Sequence, residues 1–193
     1  MPIFRNGKYF ILIVSFLIGL NVVLLYVWMA RSETNADWKQ FAEQVKEDAS
    51  FEELVVFFKT VAEKKDAEYA FAVLRNADLP PNTDLHLLAH VIGDMLYVER
   101  GLAGIHVCTQ DFRNACSHSI VIGLFLEKGI DALPEIADAC YKAPGGSGAY
   151  TMCFHGLGHG VLAYTEYDME SALGLCKKTG TRAYHNREYV ECA

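Results

Sequence analysis

The sequence predicts an all-α protein, with an N-terminal transmembrane helix followed by stacked α-hairpin repeats joined by disulfides. Three observations predict it. Apolar residues recur at helical spacing, and alternating strand patterns are absent. An uncharged apolar stretch, Tyr9 to Ala30, stands near the N-terminus. A frame of histidine, glycine, aspartate and cysteine recurs along the second half of the chain.

The elements follow in order. Residues 1–8 carry Arg5 and Lys8 and read as a cytoplasmic leader. The stretch 9–30 is long enough to cross a hydrocarbon core of about 30 Å. Trp28-Met29-Ala30 does not suit a small-residue cleavage site, which predicts an uncleaved signal anchor; Thr34-Asn35-Ala36 leaves cleavage as the lesser alternative. Arg5 and Lys8 precede the span, and Arg31 follows it with Glu33 and Asp37 close behind. That bias predicts a single pass through the cell membrane, with a cytoplasmic N-terminus and an extracytoplasmic body.

Residues 31–37 read as a polar tether and 38–82 as an N-terminal helical cap. Trp38, Phe41 and Val45 fall at helical spacing. Ser50 with Glu53 forms a capping box, and a third helix covers Asp66 to Asn76, ahead of Leu79-Pro80-Pro81. None of these segments holds a histidine or cysteine, so their expected task is to cover the first repeat.

Three copies of the recurring frame fill 84–193. Cys116 is followed at +2 by His118, at +7 by Gly123, at +15 by Asp131 and at +24 by Cys140. Cys153 is followed at +2 by His155, at +7 by Gly160, at +15 by Asp168 and at +23 by Cys176. The first copy opens on Asp84, with His86 at +2, His90 at +6 and Cys108 at +24. Expected helices run from Asp84 to Arg100, from Cys116 to Lys128, from an Asp131 cap to Lys142, from Tyr150 to Thr165 and from Asp168 to Lys178. Gly129 is a stop, and Pro144-Gly145-Gly146-Ser147-Gly148 a flexible loop. Glu188 to Ala193 resembles the opening of another unit, so the last repeat reads as incomplete and the natural chain as longer.

All six cysteines follow residue 107. Spacing alone leaves many pairings open. The frame selects Cys108–Cys116, Cys140–Cys153 and Cys176–Cys192, each stapling the end of one unit to the start of the next. Such bonds persist in an oxidising compartment, in agreement with an exported body.

On these cysteines and the steps of 32 and 37 residues between His86, His118 and His155, Asp84 to Cys192 resembles the disulfide-stapled, cysteine-rich helical repeat proteins of the tetratricopeptide-like superfamily. The resemblance implies an exported scaffold with a binding face. No catalytic residue carries over from it.

Composition narrows the function. With 52% hydrophobic and 21% charged residues the chain can bury a core, and one domain of about 150 residues fits after the anchor. A net charge of −7 with no basic stripe excludes nucleic acid as a partner.

Histidines carry the chemistry. His86 with His90, and His155 with His159, stand four apart, so each pair shares one helix face. His86, His90 and Asp94 continue along one face, and His118 occupies the same +2 column. Imidazole nitrogens with a carboxylate suit zinc, iron or another divalent transition metal. Gly156, Gly158 and Gly160 each cost a helix about 1 kcal/mol relative to Ala, which marks a close approach by a backbone or a flat ligand. Non-covalent haem is therefore the second cofactor expected; covalent c-type haem is excluded, because Cys-x-x-Cys-His is absent.

An enzymatic version makes His155 or His159 a base towards metal-bound water, but no nucleophile elbow, phosphate loop or paired carboxylates support a catalytic assignment. The alternative function is a disulfide-stabilised scaffold for a protein or peptide, with structural histidines at +2 each bonding a nearby carbonyl. His106 and His185 fall outside the frame and read as surface or loop residues. A shared metal site needs the three histidine helices to curl together, because in an open solenoid neighbouring helices lie about 8–10 Å apart.

Overall fold

The computed structural model describes residues 7–193, with side chains described for 13–26 and 38–193. Nine α-helices and several 3-10 turns occur among them, and no strand.

Helix α1, Gly7–Ala42, runs for 36 residues. Residues 31–37, expected as a tether, belong to it: no Gly or Pro interrupts them, so the helix continues to Ala42. It ends there in tight turns, and Val45 reaches the core from beyond the helix. Among the described residues no helix is long and apolar enough to cross a membrane. The expected span, 9–30, lies only partly within the described side chains.

Helix α2, Phe51–Lys64, begins on the capping box: Glu53 N donates to Ser50 Oγ (3.2 Å) and Ser50 N to Glu53 Oε2 (2.8 Å). Helix α3, Ala67–Leu74, is capped by Asp66, whose carboxylate accepts from Tyr69 N. Phe58, Val61, Ala70 and Phe71 are buried, and Phe41 of α1 meets Tyr69 edge-on at 5.7 Å.

Helix α4, Leu85–Arg100, starts on Asp84, which accepts from Leu87 N, and stops at Gly101 in a positive-φ conformation. Helix α5, Ala115–Lys128, stops in the same way at Gly129. Helix α6 is Leu133–Lys142. Asp131 is not its cap: residues 129–132 form a 3-10 turn and Pro134 occupies the first turn of the helix instead. Helix α7, Gly146–Tyr164, starts inside the expected loop, because Gly145 and Gly146 both take positive φ and turn the chain into it. Helix α8, Met169–Cys176, is capped by Asp168, and α9 covers Arg187–Cys192.

Helix α5 packs between α4 and α7. Leu88, Ile92, Leu96, Ile120, Phe125, Phe154 and Leu157 fill these contacts and are almost wholly buried. Three disulfides, Cys108–Cys116, Cys140–Cys153 and Cys176–Cys192, tie the joints in the order the repeat frame pairs them, and no cysteine is free.

Candidate metal centre

Glycines decide how near the histidine helices come. A Cβ on Gly93 of α4 would stand 2.7 Å from Ser119 Cβ and 2.8 Å from the Cys116 carbonyl oxygen of α5. A Cβ on Gly156 of α7 would stand 2.7 Å from His118 Cα, and one on Gly160 would stand 3.2 Å from Ile122 Cα. At Gly93 and Gly156 only hydrogen fits, and at Gly160 a Cβ would press on its neighbour, so α5 is held close on both sides. Gly158 does the same for α9, whose Cys192 carbonyl would lie 2.2 Å from an added Cβ. Backbone, not a flat ligand, occupies the space beside all three α7 glycines.

The result is a continuous row of five imidazoles. His86 and His90 of α4 have ring centroids 4.7 Å apart, and His155 and His159 of α7 have theirs 4.9 Å apart. His118 of α5 lies between the pairs, 5.9 and 5.7 Å from the first and 5.5 and 6.3 Å from the second. Ile122, in the position where the other copies carry their second histidine, packs against Gly160 instead.

Hydrogen bonds fix the first pair. The His86 Nδ1–H donates to the Phe112 carbonyl at 2.7 Å. The Ser119 hydroxyl donates to the His90 carbonyl (2.9 Å), which leaves its oxygen to accept from His90 Nδ1–H at 3.0 Å. Both rings therefore carry their proton on Nδ1 and their lone pair on Nε2. Those two Nε2 atoms face one another at 3.3 Å. Two bare lone pairs at that distance repel. A tetrahedral zinc with bonds of 2.0–2.1 Å holds two nitrogens about 3.3–3.4 Å apart.

His118 completes the group: one ligating atom from each of His86, His90 and His118 lies within 4.8 Å of the others. Its side chain is 1% exposed, and neither ring nitrogen has a hydrogen-bond partner. A buried imidazole with both nitrogens orphaned is costly, on the order of 1–3 kcal/mol for each lost partner, unless something else engages them.

Burial, then the neighbouring His90, His155, His86 and His159, hold the His118 pKa down to about 3. Burial, then His86 and His159, hold His90 at about 4, against a smaller opposing effect of Asp84. Burial, His155 and His86 lower His159 as well. All three rings stay neutral at pH 7, the form that binds metal.

Asp94 does not join the group. A helix drifts about 40° for every four residues, so Asp94 lies some 80° around α4 from His86. It is exposed and stands beside the Ser119 hydroxyl. His155 and His159 lie outside the three-residue group and line a neighbouring cavity of about 210 Å³, with Leu162, Met169 and Leu173 in its wall. His106 and His185 are exposed and away from the row.

Sequence reasoning missed four contributors. Gly93 had a readable signal, a glycine within a helical pattern. Ser119 had none. Phe112 sits in a left-handed turn, Phe112-Arg113-Asn114, with φ of 54°, 54° and 61°, which aims its carbonyl at His86. Three non-glycine residues in that region store strain of about 1–2 kcal/mol each, within the loop that Cys108–Cys116 closes. Glu188 is fully buried and accepts from Tyr150 Oη and from the Thr181 hydroxyl and N–H, so it serves as an internal anchor for α9.

No family model, curated protein or solved structure matches this chain.

Proposed function

We propose that this chain binds a transition metal through His86, His90 and His118. The single observation that carries the reading is the 3.3 Å approach of the two Nε2 lone pairs, each fixed by a partner on the opposite nitrogen. A hydrogen bond on the far ring nitrogen sets the tautomer of a metal-binding histidine in this way. The set is all nitrogen and neutral, which suits zinc, copper, nickel or ferrous iron over calcium or magnesium. Haem has less support, since the α7 glycines take helix backbone.

The scaffold reading, with structural histidines and a protein or peptide on the repeat face, gains from His86, whose carbonyl bond is what a structural histidine would make. It loses on His118, which holds the same repeat position and bonds nothing.

The domain is proposed to be a stack of disulfide-joined hairpins outside the cytoplasm, held to a membrane by residues 9–30. Three disulfides without a spare thiol support the compartment. All of residues 13–26 are exposed, apolar ones such as Phe16, Leu17, Val22 and Leu25 included, which is unfavourable unless lipid or a partner covers them.

Metal analysis of the purified chain tests the function. At least one transition-metal ion per chain is expected, with a lower unfolding temperature on chelation and loss of the ion in His86→Ala/His90→Ala. Metal-free protein whose stability ignores both chelator and added zinc, copper, nickel or ferrous iron sinks the reading.

A further inference from the structure

A helix on the surface of a folded domain needs one apolar face, and α4 carries two. Leu88, Ile92 and Leu96 are buried in the core. Val91, Met95 and Val98 fall at i, i+4 and i+7 on another face and line a groove of about 490 Å³ between α4 and α2. Val98 is 84% exposed, Val91 and Met95 are half-buried, and the buried Ala62 of α2 stands across from them. No ligand of the histidine row lines this groove.

The charged residues of the groove are unequal. Glu63 of α2 and Asp94 and Glu99 of α4 face a single cation, Lys59. The Glu99 carboxylate already accepts from Ala67 N at 3.0 Å, but among the described residues no lysine or arginine pairs with Glu63 or Asp94. Burial pushes the Asp94 carboxyl pKa up, with Ser119 opposing, as for a carboxylate short of both water and a counter-charge. A cation brought to the groove relieves that shortage.

We propose that the groove between α2 and α4 docks an amphipathic helix of a protein partner, its apolar side chains against Val91, Met95 and Val98 and its lysines or arginines beside Glu63 and Asp94. Helix-in-groove recognition uses apolar anchors at this spacing, and the flexible Met95 adapts to what it meets. Charge decides between occupants. A second copy brings a net charge of −7, and an anionic lipid surface is repelled by the same carboxylates. The exposed apolar strip of α1, 13–26, has no charge to offer them. The docking site stands independently of the metal reading.

Fluorescence anisotropy with the full chain tests this. The probe is a labelled peptide of about three helical turns, with leucine on one face and lysine on the other. It should bind, more weakly as salt rises. Val98→Lys should weaken binding about tenfold or more, whereas Val190→Lys, the same change at an exposed residue of α9, should leave it within about twofold. Glu63→Gln should flatten the salt dependence. Both Val98 and Glu63 are exposed, so neither change disturbs the core.

Equal losses in Val98→Lys and Val190→Lys reduce the binding to general charge attraction and overturn the groove. Equal binding of a peptide with glutamate in place of lysine overturns the basic partner. Self-association of the chain on sedimentation that Val98→Lys abolishes makes the occupant a second copy and overturns the partner proposed. A chain that binds neither peptide overturns the docking site.

Discussion

The Phe112 carbonyl oxygen lies 2.7 Å from His86 Nδ1, and the turn that aims it is held in the left-handed region by a loop that Cys108–Cys116 closes. The disulfide thus acts on the candidate metal centre at one remove, by keeping a strained carbonyl in place.

Removing that bond should therefore do more than destabilise. Closure of loops of this size contributes about 2.5–3 kcal/mol in the chain-entropy treatment. Cys108→Ser/Cys116→Ser and Cys176→Ser/Cys192→Ser should each lose about that amount in urea unfolding. The first pair should also weaken zinc binding several-fold, and the second should not. Equal metal affinity in the two variants would separate the turn from the site.

Ser119 holds His90 in its tautomer while bonding the His90 carbonyl. Ser119→Ala should weaken metal binding by about 10–100-fold, the usual cost of losing such a support. Folded stability without metal should fall by only about 1 kcal/mol. Competition against a chromophoric chelator reads the first quantity and urea unfolding the second; an unchanged affinity would remove Ser119 from the site.

Gly156 is where His118 enters α7's surface, so Gly156→Ala puts a methyl 2.7 Å from His118 Cα. Overpacking of this kind costs about 1–3 kcal/mol, partly offset by up to about 1 kcal/mol of improved helix propensity. A lower melting temperature and weaker metal binding should follow. Gly174 of α8 is exposed and has open space around it, so Gly174→Ala should be neutral or stabilising by up to about 1 kcal/mol. Thermal unfolding of the two variants checks the contrast; if both behave alike, the close approach at Gly156 is not what sets the spacing.

The metal-free domain should be acid-sensitive with a definite sign. His90 and His118 are held at about 4 and about 3 in the fold, below the ordinary value near 6.5. Unfolded chains then bind protons that the fold refuses, so stability falls as pH drops below about 6.5. Both groups add to the loss until their folded pKa values are reached. Urea midpoints between pH 7.5 and 4.5, with chelator present, should decline steeply, and less so in His90→Gln. A flat profile would mean that these rings are solvated.

Local chemistry was legible in the residues. Ser50, Asp66, Asp84 and Asp168 all cap helices, because a cap depends on the next three residues and on little else. The disulfide order was legible for a related reason: the frame repeats, and short separations leave each cysteine one near partner. Asp131 and the 144–148 loop misled because a 3-10 turn and a left-handed Gly145 changed the local path, and neither has a distinctive residue pattern. Asp94 misled because helical drift over eight residues is easily overlooked in a linear pattern.

The order of helices, the caps at Ser50, Asp66, Asp84 and Asp168, the cysteine bonds and the candidate ligands His86, His90, His118, His155 and His159 were determined by the sequence, since each depends on neighbours within a few turns of chain. Only the tertiary structure decided that these rings meet in one row, with His118 sealed at its centre. That meeting depends on glycines at helix crossings far apart in the chain, where the absence of a side chain lets two backbones touch, and a residue pattern does not say which helix will be on the other side.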